Sequence, residues 1–197
     1  MDSVRTLLAA IGVVALAFAI FVIIFLWSGA YDVGADSGGG IVDTIAAFTR
    51  ENSVESRDAD IAVPPLDSPF VVAAGAARYD HMCTGCHLAP GMKTNPMRAA
   101  MNPKPPELAR RKHPDAKEDF WIVKHGIKMT AMPAWGLSLS DRQLWTLAAF
   151  LQKLPGMTPE RYRALVAEGS PQNAGQMPAG APPPAAPQPA PGTPPGR

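Results

Sequence analysis

Cys83-Thr84-Gly85-Cys86-His87 contains both cysteines of this 197-residue chain. Two thiols separated by two residues can add to the two vinyl groups of a haem, and the adjacent histidine then meets the iron face-on. The same spacing also occurs in thioredoxin-like redox pairs, zinc sites and structural disulfides. The motif predicts covalent haem attachment through Cys83 and Cys86 with His87 as an iron ligand, and it leaves three alternatives.

The thioredoxin-like pair and the zinc site each lack a feature that they require, whereas a disulfide requires only an oxidising compartment. A thioredoxin-like pair lies in a βαβ unit, and no strand pattern stands out in this sequence. A zinc site needs further ligands, but His81, His113 and His125 form no second ligand pair at zinc-finger spacing. A disulfide between Cys83 and Cys86 is the simplest interpretation for an exported protein, because that compartment is oxidising.

A methionine in the loop before the last predicted helix is the expected second axial ligand. Met132 precedes Pro133, which fixes the backbone beside it. The Trp135 ring, three residues after Met132, can cover the haem edge. Methionine paired with histidine raises the reduction potential and fills the coordination sphere. Met129 and His125 are the alternative ligands. Methionine is more often a core residue than a ligand, and the following are interpreted in that way: Met82, Met92, Met97, Met101 and Met157.

An uncharged run, LLAAIGVVALAFAIFVIIFLW, occupies residues 7–27. It is long enough to cross a hydrocarbon core of roughly 30 Å as a helix, and it predicts a transmembrane anchor. The alternative is a cleaved signal peptide, but the apolar region of such a peptide is only about 7 to 15 residues long. No convincing small-residue cleavage site follows the run.

The charges beside this run predict its orientation. Arg5 precedes it, and no Lys or Arg follows it before Arg50. By the positive-inside tendency, residues 1–6 stay in the cytoplasm and the rest of the chain is exported. The expected location is the bacterial inner membrane, crossed once, with the haem domain in the periplasm.

Composition divides the remainder into three parts. Residues 28–66 are rich in Gly and Ser near the anchor and are interpreted as a juxtamembrane linker, to which Ile41–Phe48 adds a short amphipathic helix. Residues 67–168 form the candidate domain. Residues 169–197 contain ten prolines among Ala, Gly and Gln, so no apolar face can form and a disordered tail is predicted.

Helical spacing of apolar residues predicts an all-α domain. A first helix is expected from Ser68 or Pro69 to the cysteine motif, and another over Lys117–Lys124. A last helix is expected to begin at Ser140, a suitable N-cap residue, and to end at Pro155. The expected core face of that helix consists of Leu144, Leu147, Ala148 and Leu151.

The charge is unevenly distributed along the chain. Residues 67–168 carry fourteen Lys and Arg against nine Asp and Glu, although the net charge of the whole chain is +1. A mildly basic domain favours docking to an acidic protein surface and faster association at low salt. We therefore expect redox proteins as partners, together with the membrane, and neither nucleic acid nor a small-molecule substrate.

Over most of residues 70–155 the chain resembles class I cytochromes c, the monohaem family. Gly75 and Tyr79 look like the glycine and aromatic residue of that family's first helix, which pack against its last helix. Trp145 and Phe150 would then be the partner aromatics. The run FWIVKHGIKMTAMPAWG also looks like a membrane-anchored bacterial subgroup. The resemblance implies an all-helical fold around one haem c.

The resemblance also implies a role for a proline loop. Pro106-Glu107-Leu108 is similar to the family's Pro-x-Leu, in which the proline carbonyl accepts a hydrogen bond from the proximal histidine. Pro106 would thereby orient His87. Pro105 or Pro90 could take its place. Three basic residues that follow either touch the haem propionates or form a solvated surface: Arg110, Arg111 and Lys112.

Three functions are consistent with these features. The first is a membrane-tethered carrier that transfers single electrons between periplasmic redox proteins, without being an enzyme itself. The second is a cytochrome subunit bound permanently to a membrane oxidase or a periplasmic dehydrogenase. The third is a haem enzyme or gas sensor, which would need a labile sixth ligand.

Overall fold

A computed structural model describes residues 2–37 and 39–170, so residues 171–197 of the predicted tail lie outside the described part. The described residues contain no β-strand, which confirms the predicted all-α class. Single 3-10 turns occur at Leu108–Arg110 and Trp135–Leu137. The α-helices of the described residues are α1 (Asp2–Ser28), α2 (Ile41–Asp58), α3 (Pro69–Met82), α4 (Thr84–His87), α5 (Pro96–Ala99), α6 (Ala116–His125), α7 (Asp141–Lys153) and α8 (Pro159–Gly169).

The helix α1 belongs to the first of two compact units, Met1–Gly38. None of its residues is buried, and its large apolar side chains are exposed at positions all round the helix. An apolar surface on every side suits a lipid environment better than water. By length and composition, α1 is able to cross a membrane.

The second unit, Gly39–Arg197, has its core between α3, α6, α7 and α8. The N-terminus of α7 is fixed by a capping box in which Ser140 and Gln143 satisfy each other's backbone N–H groups. The predicted core face of α7 is buried, as Leu144, Leu147, Ala148 and Leu151 show.

The helices α3 and α7 cross in direct backbone contact at Gly75. A Cβ on Gly75 would lie 2.0 Å from the carbonyl oxygen of Thr146 and 2.7 Å from Phe150 Cβ. One turn later the Tyr79 ring packs on Phe150, with centroids 5.2 Å apart, and its hydroxyl donates to the Leu88 carbonyl at 2.7 Å. Only a residue without a side chain permits this crossing.

Trp145 differs from the expectation that it would pack with the first helix. Its ring stacks on Phe120 of α6, with centroids 4.1 Å apart and planes inclined by 11°. Of the two aromatic residues of α7, Phe150 supplies the ring contact to Tyr79. The two aromatic residues of α7 therefore secure two different neighbours, Phe150 towards α3 and Trp145 towards α6.

The helix α8 was not predicted, since Pro155 was expected to end the last helix. Thr158 caps its N-terminus, and Tyr162 and Leu165 are buried as it packs against α3. The Tyr162 hydroxyl donates to Asp80 Oδ1 at 2.7 Å. Only two of its residues are buried, which explains why its amphipathic pattern is weak in the sequence.

The helix α2 is longer than the predicted segment Ile41–Phe48 and packs on the domain. Its second half buries Val54 and lies against α6. Just beyond it, Lys117 Nζ donates to the Ala59 carbonyl at 2.8 Å. Residues 41–58 of the predicted linker 28–66 are thus helical and belong to the second unit.

We expect Gly75→Ala to destabilise the domain, because the added methyl group would overlap the backbone of α7. An overpacked core position typically costs about 1–3 kcal/mol in the free energy of unfolding. Chemical denaturation of the haem-loaded protein measures this. Gly39→Ala is the matched control, since its methyl group would meet only Asp43 Oδ2, at 3.6 Å. Equal stability of the two variants would contradict the crossing described above.

Candidate haem site

The Cys-Thr-Gly-Cys-His motif continues directly from α3. The Cys83 N–H donates to the Tyr79 carbonyl at 2.9 Å, and the His87 N–H donates to the Cys83 carbonyl at 2.8 Å. Both thiols are free and half-buried. Burial and the neighbouring Cys86 raise the pKa of the Cys83 thiol to about 12. The buried Tyr79 thus positions the start of the motif.

The His87 ring is half-buried, and one of its nitrogens has a partner. Nδ1 lies 2.9 Å from the Pro106 carbonyl oxygen, which can only accept, so Nδ1–H is the donor. Burial lowers the pKa of His87, the Pro106 carbonyl raises it and the charge of Arg98 lowers it, with a downward net shift. The neutral ring with its proton on Nδ1 leaves Nε2 available to a metal.

Gly126 holds the loop that carries Met132. With φ of 65°, it ends α6 in the left-handed region, and a Cβ there would lie 2.7 Å from the Met132 oxygen and the Ala134 nitrogen. The Ile127 N–H donates to the Met132 carbonyl at 3.2 Å, and the Met132 N–H donates to Thr130 Oγ1 at 3.1 Å. These contacts fold residues 126–134 into a closed loop.

The two candidate methionines of this loop have different surroundings. Met132 is half-buried and packs against the core, as does Trp135 at the start of the following 3-10 turn. Met129 is 94% exposed and has φ of 60°. Of these two methionines, only Met132 is therefore packed into the domain.

The other histidines do not assemble into a metal site within the described residues. His81, His113 and His125 are all exposed, and the His125 ring lies against Trp121 at a centroid distance of 4.9 Å. No group of three or more His, Cys, Asp or Glu side chains there could hold a metal ion. The described residues also lack the strands that a thioredoxin-like pair requires.

The three basic residues after the proline loop do not act as one cluster. Arg111 forms a two-pronged ion pair with Asp119 of α6, at 2.5 and 2.6 Å, and Gln152 of α7 donates to the same carboxylate at 2.8 Å. Arg110 is exposed and pairs with Glu107 at 3.2 Å. Arg111 therefore ties the loop to α6 and is not a free surface charge.

Residues 71–151 match the family model described as cytochrome c oxidase, cbb3-type, subunit III. The chain contains a c-type cytochrome domain. The match begins in α3, ends in α7 and includes the cysteine motif, Pro106, Met132 and Trp135, whereas α2 and α8 lie outside it. No curated protein and no solved structure gives a significant match.

A c-type cytochrome domain binds haem c covalently, and the side chains present fit that group. Two free thiols at the attachment spacing are followed by a histidine whose tautomer leaves Nε2 available. A packed methionine, Met132, would offer a soft sulfur donor from a separate loop. One cysteine pair in the whole sequence fits one haem.

Several residues that build the cytochrome site were not predicted. Gly126 and Thr130 shape the methionine loop, and Asn95 and Arg98 brace the loop before Pro106. The signal for Gly126 was present, because a glycine after Lys-His is typical of a helix C-terminus. The contacts of Arg98 join residues whose pairing no local pattern reveals.

We expect Met132→Ala to lower the reduction potential and to change the visible spectrum of the oxidised cytochrome. Axial ligands span about 0.8 V, so losing the methionine should lower the potential by on the order of 0.1 V. Potentiometric titration measures the change. Met129→Ala is the matched control and should leave both properties unchanged. A change of potential in Met129→Ala alone would instead identify Met129 as the ligand.

Gly126→Ala should act on the same ligand through the backbone. Its methyl group would strain the left-handed conformation and press on Met132 and Ala134, at a cost of about 1–3 kcal/mol. We expect the potential to fall towards that of Met132→Ala. Lys128→Ala, at an exposed position of the same loop, should have no effect. An unaltered potential in Gly126→Ala would show that Gly126 does not position Met132.

Proposed function

We propose that this chain is a membrane-tethered monohaem cytochrome that transfers single electrons between redox proteins in the periplasm. The c-type cytochrome domain matched over residues 71–151 supports an electron-transfer role. The single observation that carries the finer proposal is the presence of two packed axial-ligand candidates, His87 and Met132, on separate segments.

The two ligand candidates favour electron transfer over substrate chemistry. Haem iron, when bound, supplies the one-electron step by alternating between its ferrous and ferric states. Cys83 and Cys86 would hold the haem covalently, and His87 and Met132 would both ligate its iron. With both ligands in place, the iron would serve electron transfer rather than the binding of a substrate or a gas.

The remaining site residues would tune this centre. Pro106 accepts the hydrogen bond of His87 Nδ1–H and so fixes the ring orientation and raises the basicity of the ligand. Trp135 packs against the core, as Met132 does, and would help to shield the haem edge from water. A drier site raises the energetic cost of the ferric charge and hence the potential.

The proposed location follows from α1. The helix α1 is able to cross a membrane, with Arg5 near its N-terminal end and the acidic residues Asp32, Asp36 and Asp43 after it. This arrangement supports an inner-membrane anchor that exports the cytochrome domain. Covalent haem attachment outside the cytoplasm is consistent with that orientation. The basic excess of residues 67–168 supports docking to acidic redox proteins.

A permanently bound oxidase subunit is the second candidate, and two observations favour it. The matched family is described as a subunit of an oxidase. The first half of α2 also exposes a row of apolar side chains, Ile41, Ile45 and Phe48. Such a row could bury itself against a neighbouring subunit.

Separation of native membranes by complex size distinguishes the two candidates. Membranes are solubilised in mild detergent, and the haem-stained band of this chain is followed. A tethered carrier should migrate near its own mass plus detergent, because its encounters with partners are transient. Comigration with a large oxidoreductase would contradict the proposal and identify a resident subunit.

A double variant in α2 sharpens the experiment. Ile45→Ser with Phe48→Ser removes apolar surface and should not alter the migration of a free carrier. Release from a large complex by this variant, but not by Glu51→Gln on the same helix, would show that α2 holds the chain in an assembly.

A further inference from the structure

The loop between His87 and Pro106 is tied to the cysteine motif by Asn95. Asn95 Nδ2 donates to the Gly85 carbonyl, between the two cysteines, at 2.9 Å. Its Oδ1 accepts from the Arg98 N–H at 2.8 Å and caps the single turn α5. One amide side chain therefore connects the haem-attachment segment to the backbone of Arg98.

Arg98 continues the connection to the proline loop. Its Nη2 donates to the Pro105 carbonyl at 2.8 Å and lies 3.4 Å from Glu107 Oε1. Pro105 and Glu107 are the two neighbours of Pro106, whose carbonyl accepts from His87. The guanidinium thus holds both sides of the residue that orients the proximal histidine.

The burial of Arg98 argues against a role as a surface charge. The residue is only 5% exposed, and its Nε has no hydrogen-bond partner within the described residues. Burying a guanidinium is costly, and a buried donor without a partner adds to that cost. Its planar, multi-donor head can contact two neighbouring acceptors at once, which lysine cannot do as well.

We propose that Arg98 is a positioning residue for His87. The contacts form a closed ring that runs from the cysteine motif through Asn95 and Arg98 to the proline loop, and returns to the motif through His87 Nδ1–H. The ring sets the separation of the His87 ring and the Pro106 carbonyl, and so the strength of their hydrogen bond. This inference rests on the proposed ligation by His87.

Arg98→Lys is the main test because it keeps the positive charge and removes the planar, multi-donor guanidinium group. We expect the His87 Nδ1 proton of the haem-loaded full chain to exchange with solvent about tenfold faster, as weakening by roughly one net hydrogen bond allows. We also expect the reduction potential to rise, because a less basic imidazole stabilises the ferric state less. Proton NMR and potentiometry measure the two effects.

Arg110→Met is the matched control. Arg110 pairs with Glu107 too, but its side chain is 83% exposed. It should change neither the exchange rate nor the potential. Wild-type values in Arg98→Lys, or the same shifts in both variants, would overturn the positioning role.

Asn95→Asp provides a second route if Arg98→Lys does not fold. It keeps the cap on α5 and loses the donor to Gly85, so it should also speed the exchange of the His87 Nδ1 proton. The exchange rate is the measurement here, because the added charge shifts the potential by itself. A wild-type exchange rate in Asn95→Asp would then overturn the ring of contacts. Absence of a haem-shifted imidazole signal in the wild-type protein would instead contradict ligation by His87 and the proposed function.

Discussion

The backbone contact between α3 and α7 at Gly75 determines where the two halves of the site lie. Helix α3 ends at the cysteine motif, and α7 begins just after the loop that carries Met132. Bringing Gly75 against the Thr146 carbonyl therefore joins the helix that leads into the cysteine motif to the helix that follows the methionine loop. Tyr79 and Phe150 fill the space beyond the crossing, and Tyr162 of α8 packs on both, with its ring centroid 6.4 Å from that of Tyr79 and 6.1 Å from that of Phe150.

Features encoded by neighbouring residues could be predicted from the sequence. The cysteine motif, the helices α3, α6 and α7, and the core face of α7 all follow from local spacing. The resemblance to class I cytochromes also implied the hydrogen-bond partner of His87. In the structure, the Pro106 carbonyl oxygen lies 2.9 Å from His87 Nδ1. Axial ligation by His87 and Met132 itself stays a prediction.

Features that depend on distant pairing were missed. Helix α8 buries only two residues, and its anchoring bond joins Tyr162 to Asp80, far away in the chain. Arg111 appeared to belong to a surface charge run because nothing local points to Asp119. Helix α2 was expected to be shorter, because its polar second half gains stability from packing on α6 rather than from its own pattern.

The central claim is that Cys83 and Cys86 carry one covalent haem. Intact mass spectrometry of the full chain, purified from membranes and denatured, tests it most directly. We predict a mass equal to the polypeptide plus one haem, with the haem absent when both cysteines are replaced by serine. A wild-type chain that loses its haem on denaturation, or never carries one, would contradict the account.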